Sequence, residues 1–123
     1  METRAILRDS GAPPRKVRLV LQAIKGRRTD EALAILQFLP NGSAPAIRKL
    51  LQSAIANAEN NYRMDPNKLY VINAIADEAP SQKRSRWRSR GRWTRIVKRQ
   101  SHITIVVSDE RELVPHAFRK LAK

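Results

Sequence analysis

The segment Lys83–Arg99, KRSRWRSRGRWTRIVKR, decides the reading of this chain. It holds nine basic residues, Lys83, Arg84, Arg86, Arg88, Arg90, Arg92, Arg95, Lys98 and Arg99, and no Asp or Glu in its 17 positions. Arg84, Arg86, Arg88, Arg90 and Arg92 occupy every second position. Extended backbone sends alternate side chains to opposite faces, so this spacing suits a strand, whereas a helix would scatter the arginines around its circumference. The other face of the strand would carry Ser85, Trp87, Ser89, Gly91 and Trp93. A turn at Ser89–Arg90–Gly91 would set Arg88 opposite Arg92, Trp87 opposite Trp93 and, in the same register, Ile75 opposite Ile105. Two arms of about ten residues would then reach roughly 30–35 Å at ~3.3 Å per residue. Opposed arginines repel, and a two-stranded ribbon without a core is marginal alone, so the tip is expected to be mobile until a polyanion surrounds it. Two readings stand for the tryptophans: they stack on each other to stiffen the ribbon, or they stack on bases or arginine planes.

Outward from this segment the sequence alternates in both directions. On its N-terminal side Leu69, Val71, Asn73, Ile75 and Asp77 alternate with Tyr70, Ile72, Ala74 and Ala76, a strand pattern. On its C-terminal side Ile103, Ile105 and Val107 alternate with Thr104 and Val106. Farther upstream the period becomes helical. Ile47, Leu50, Leu51, Ala54, Ile55, Ala58 and Tyr62 mark one face of a long helix, with Ser43 as its cap and with Ala54, Ala56 and Ala58 small enough for close approach. Leu33, Ile35 and Leu36 supply the buried side of a second helix, with Thr29 at its N-cap and Asp30 and Glu31 in its first turn. Val17, Val20, Leu21 and Ile24 face inward from a first helix, which Pro14 opens and Gly26 stops. Thr3–Arg8 reads as a short strand, with Ala5 and Leu7 alternating against Arg4, Ile6 and Arg8. The tail, about 109–123, mixes charges around Pro115 and reads as a frayed helix or as disordered.

The chain has 123 residues, enough for one domain. Its formal net charge is +14, of which the Lys83–Arg99 segment carries nine. Six more charges, Arg15, Lys16, Arg18, Lys25, Arg27 and Arg28, fall within 14 residues, and the remainder sums to −1. Arginine outnumbers lysine seven to two in the main segment. The guanidinium fork grips phosphate oxygens bidentately and stacks on bases, which favours nucleic acid over a membrane surface.

Cysteine is absent, which excludes disulfides, thiol nucleophiles and cysteine-ligated metals. The two histidines, His102 and His116, are too few for a histidine-rich metal site. Asp30/Glu31, Asp77/Glu78 and Asp109/Glu110 are sequence neighbours that do not converge on one point, so no acid–base pair is indicated. No catalytic residue, metal, cofactor or small-molecule substrate is expected. No apolar run approaches the ~20 residues that span a bilayer, and Met1–Arg8 lacks the apolar core of a signal peptide. The expected compartment is a cytosol-like one.

Three motifs, PRKVRLV (Pro14–Val20), SAIANAENN (Ser53–Asn61) and GRWTRIVKRQSHITIVV (Gly91–Val107), resemble the bacterial-type large-subunit ribosomal protein "L twenty-two" family over about residues 3–108. Pro13 stands where that family usually has serine, and Trp87 and Trp93 where it has smaller residues or proline. The resemblance implies an α+β fold: a strand, three helices and two strands, with a small antiparallel sheet packed on the helices. It also implies a long protruding β-hairpin, about Ala79–Arg99. By the same resemblance the chain is a structural constituent of the large ribosomal subunit that binds large-subunit (23S-type) rRNA. Its partners would be neighbouring large-subunit proteins and the nascent polypeptide. The hairpin tip, Trp87, Arg88, Ser89, Arg90 and Gly91, would line the peptide exit tunnel. The expected place is a bacterial cytosolic ribosome, with an organelle ribosome as the alternative.

The residues that would touch rRNA are the nine cations of the ribbon, Lys83 through Arg99, with Arg15, Lys16 and Arg18 as a second anchor. A DNA-binding protein with a β-arm is the rival class on composition alone.

Overall fold

A computed structural model describes residues 1–120 of the chain. Strand β1 (Glu2–Ser10) leads into helices α1 (Pro14–Ile24), α2 (Thr29–Phe38) and α3 (Ala44–Tyr62). Two long strands follow, β2 (Tyr70–Trp87) and β3 (Trp93–Ser108). This is the expected α+β order. The sheet is antiparallel with strand order β1-β3-β2, so β3 is central.

Alternation along the strands gives the sheet one buried face. Across it run the rows Thr3, Val107 and Val71; Ala5, Ile105 and Ala74; and Leu7, Ile103 and Ala76. Helix α3 packs on β1 and β3, and α1 on β2. The core joins Val17, Val20, Leu21 and Ile24 of α1 to Ala32 and Leu36 of α2 and to Ile47, Leu50, Leu51, Ala54 and Ala58 of α3. Ala54 and Ala58 are fully buried, as their helical spacing requires, whereas Ala56 points to solvent. The open face of the sheet carries Arg4, Ile6 and Ile75.

Two β-bulges change the register that strict alternation implies. One lies between Val71 and Asn73, so Val71 and Ile72 are both buried and the inward set shifts to Ala74 and Ala76. The other lies between Ala79 and Gln82, where Pro80 has no N–H to give the ladder. Ile75 therefore opposes Thr104, not Ile105, and sits on the open face, while Ile105 pairs with Ala74. His102 lies inside β3. Its Nδ1 accepts a hydrogen bond from the Asp9 amide at 3.1 Å.

Capping also differs from expectation. Helix α2 begins at Thr29 itself, which is buried; its hydroxyl turns toward the Pro66 carbonyl at 3.5 Å, and its amide donates to Leu69 O at 3.0 Å. Ser43 holds the N-cap position of α3 in helical geometry and makes no side-chain cap bond. Pro14 opens α1 at the first turn, as expected.

Gly26, after α1, has φ +80°, and its amide donates to Val71 O at 2.8 Å. This bond ties the α1–α2 link to the start of β2. A Cβ at Gly26 would also collide with the Cβ of Phe118, because the C-terminal segment folds back over the link. That segment makes short 3-10 turns at Arg111–Leu113 and His116–Phe118 and buries Val114. The expectation of a frayed or disordered tail falls in part on residues 121–123, which lie outside the described residues. Gly26→Ala is expected to destabilise the fold by about 1–2 kcal/mol from its left-handed backbone, plus the cost of displacing Phe118. In urea unfolding, the cost of Gly26→Ala measured in a Phe118→Gly background, which has no Cβ at 118 to meet, should fall by the second part only. Disappearance of the whole cost would show that backbone conformation is not the cause.

The segment is also anchored at its beginning. The Met1 amine donates to Glu110 Oε1 at 2.9 Å and to Asp109 Oδ1 at 3.4 Å. The hydrogen bond to Glu110 raises the amine's pKa above its usual 8.0, so this contact acts fully below pH 8.0 and is lost as pH climbs through the raised value.

Candidate nucleic-acid interface

Beyond the Pro80 bulge the two long strands leave the body as a ribbon. Among the described residues from Pro80 to Gln100 none is buried, so nothing but the ladder and surface pairs holds the arm. Its closure is local. The Arg88 amide donates to Arg92 O at 2.7 Å, and the Arg92 amide to Ser89 O at 3.4 Å. Arg90 (φ 58°) and Gly91 (φ 71°) between them both take positive φ, the combination that matches a turn to the strands' right-handed twist. The turn thus lies where the sequence places it, and Trp87 opposes Trp93 as expected.

The register distributes charge differently from a ribbon of facing arginines. Gln82 pairs with Lys98, Lys83 with Val97, Arg84 with Ile96, Ser85 with Arg95 and Arg86 with Thr94. Each cation of the shaft faces an uncharged residue. Like charges directly opposite are destabilising, and this stagger avoids them. Repulsion between opposed arginines is therefore absent from the paired positions of the shaft. Only Arg88 and Arg92 stand together, at the turn.

Neighbours two apart share a face, so Arg84 and Arg86 lie with Lys98, Ile96 and Thr94 on one side. Lys83 and Arg95 lie with Ser85, Val97 and the two tryptophans on the other. Both faces are basic. Arg84 Nη2 donates to Gln82 Oε1 at 3.1 Å and its Nη1 to Lys83 O at 3.0 Å. Among the described residues none of the ribbon's cations has a carboxylate within ion-pair distance. Their positive charge is therefore uncompensated by the protein itself.

The second basic cluster divides. Arg18 reaches from α1 to β2, where Nε and Nη2 donate to Ala76 O at 3.2 and 2.9 Å. With Arg15, Pro13 and Pro14 it lines a cleft of about 530 Å³ whose far wall is Glu78 and Arg99 at the root of the ribbon. Arg15 and Arg18 thus join the arm's field although they lie far from Arg99 in sequence. Lys16 lines a neighbouring cleft, with Leu19, Asn41 and Ala46, which shares Pro13 with the first. Arg27 pairs with Glu31 at 2.6 Å, Arg28 lies 3.8 Å from Asp30, and Lys25 stands 5.8 Å from the Phe118 ring centre. Those three cations are engaged with the body.

The cleft was not legible in the sequence, because no local pattern links Arg15 and Arg18 to Arg99. Glu78, its one acidic wall, was likewise missed. The uncharged partners Thr94, Ile96 and Val97 could have been found by counting outward from the turn. Among the described residues no group of three His, Cys, Asp or Glu side chains gathers into a metal site, and no helix is long and apolar enough to cross a membrane.

A family model described as ribosomal protein L22p/L17e matches residues 5–108, from within β1 to the last residue of β3. A body of this topology carrying a basic ribbon agrees with that match, and the chain belongs to this family of large-subunit ribosomal proteins.

Proposed function

We propose that this ribosomal protein binds large-subunit rRNA through both faces of its ribbon and through the Arg15–Arg18–Arg99 cleft, with the tip lining the nascent-peptide exit tunnel. The observation that carries this reading is the ribbon's composition in its register: Lys83, Arg84, Arg86, Arg88, Arg90, Arg92, Arg95, Lys98 and Arg99 on an arm with no buried residue among them and, among the described residues, no carboxylate within ion-pair distance. Such an arm gains most when phosphates surround it on two sides. Phosphate contacts would supply affinity and fix orientation, with little reading of base sequence. The body would dock at the surface of the subunit beside neighbouring ribosomal proteins. Trp87, Arg88, Ser89, Arg90 and Gly91 would meet the nascent polypeptide.

Two measurements test the RNA reading together. A folded large-subunit rRNA fragment should outcompete duplex DNA for the purified protein at moderate salt. With about eight phosphate contacts, log K should fall against log[salt] with a slope of roughly −6 to −7. Equal affinity for both nucleic acids would favour a DNA-architectural role instead.

A further inference from the structure

We propose that Trp87 and Trp93 form a stacking platform for an unpaired nucleobase of an RNA strand. This deepens the rRNA reading above and rests on it. The two rings come from opposite strands, with centroids 4.0 Å apart and planes tilted by 38°. Their mutual contact occupies one face of each ring. Trp87 remains 62% exposed and Trp93 61%. Two large apolar side chains are therefore held in place by each other and still present most of their surface to water. A pair serving only as a clasp would gain by covering that surface.

The surroundings say what would cover it. From Ala79 to Ser108 the chain has no acidic residue, and Arg95 lies on the same face as the tryptophans, one ladder step nearer the body. Residues two apart on a strand are separated by about 7 Å. A phosphate held by Arg95 and its own base on the Trp93 ring fall within that span. Gly91 bears no side chain where the turn approaches the Trp87 ring, which leaves that edge clear. A cationic frame around bare aromatic faces suits a polyanion that carries flat rings. Stacking of this kind tolerates any base, since every base has a π-face.

The chain has only these two tryptophans, so its intrinsic indole emission reports on this site alone. The probes are single-stranded hexa-adenylate and inorganic polyphosphate. Hexa-adenylate should quench the emission saturably, while polyphosphate should displace labelled RNA without comparable quenching. Equal quenching by both would overturn the proposal. In the Trp87→Leu/Trp93→Leu variant, hexa-adenylate affinity measured by anisotropy should fall about tenfold for each stacked base, with polyphosphate affinity unchanged. The Trp87→Phe/Trp93→Phe variant should keep most of the affinity. Unchanged hexa-adenylate binding by the leucine variant would overturn the platform while leaving the rRNA reading intact. Equal loss toward both probes would overturn it in favour of a clasp. Failure of the rRNA reading would show separately, as indifference of the parent protein between rRNA and duplex DNA.

Discussion

The triple variant Arg86→Glu, Arg88→Glu and Arg92→Glu should fold normally and fail to enter the large subunit. The substitutions lower the net charge of +14 by six, all of it near the tip of the ribbon. Each reversal removes a charge-assisted contact worth about 1.5–3 kcal/mol and places a carboxylate among phosphates. Three such changes should reduce affinity for an rRNA fragment by more than ~10³-fold. The body should be nearly indifferent. The three side chains are exposed, lie beyond the Pro80 bulge and make no ion pair among the described residues, so its unfolding free energy should change by less than about 0.5 kcal/mol. Sedimentation of tagged protein with large subunits after a high-salt wash measures the first effect, and urea unfolding the second. The corresponding Arg→Gln variant should be intermediate. Normal incorporation of the glutamate variant would remove the arm from any role in binding.

The opposite outcome is expected for Ile105→Ala, which should damage the body and leave the arm's chemistry alone. Ile105 sits fully buried on the central strand, paired with Ala5 on one side and Ala74 on the other. Its flanking partners are too small to move into a vacated space. Truncations of buried isoleucine cost about 2–5 kcal/mol, and a site that cannot collapse lies at the upper end. Against a total stability of about 5–15 kcal/mol for a domain, a loss of ~4 kcal/mol is large. Urea unfolding should show a lower midpoint with an unchanged slope. Ile105→Val, which keeps most of the volume, should cost only about 0.5–1.5 kcal/mol. A loss below 1 kcal/mol for the alanine variant would mean that the two alanine neighbours do not define a rigid gap.

Much of this architecture was written in local pattern. The spacing of Ile47, Leu50, Leu51, Ala54 and Ala58 could only be one face of a helix, and Ser89–Arg90–Gly91 between two arginine-rich alternations could only be a turn. What escaped were features set by pairing between distant segments. Counting from the turn carried Ile75 to Ile105, and the bulge between Ala79 and Gln82 moves it to Thr104; nothing in the run Val71–Asp77 marks the second bulge, at Ile72, which leaves Val71 and Ile72 both buried. Thr29 looks like a cap because caps favour threonine, yet tertiary contact with Pro66 and Leu69 buries it instead. The stagger of Arg86, Arg84 and Lys83 against Thr94, Ile96 and Val97 did not escape in this way, since it follows from the turn register that the sequence indicates. The convergence of Arg15 and Arg18 on Arg99 depends on how α1 crosses the sheet.

The bulge at Pro80 and Ser81 has a bearing on how such an arm changes over generations. Between it and the turn, the two strands count off in matched steps from Gln82–Lys98 to Trp87–Trp93. A one-sided insertion would throw every later partner out of step. A matched insertion of one residue per strand would rotate the tip by half a revolution, exchanging the indole side for the guanidinium side. Only matched additions of two per strand keep the orientation, so descendants of this arm should grow or shrink in increments of four residues while the body stays untouched.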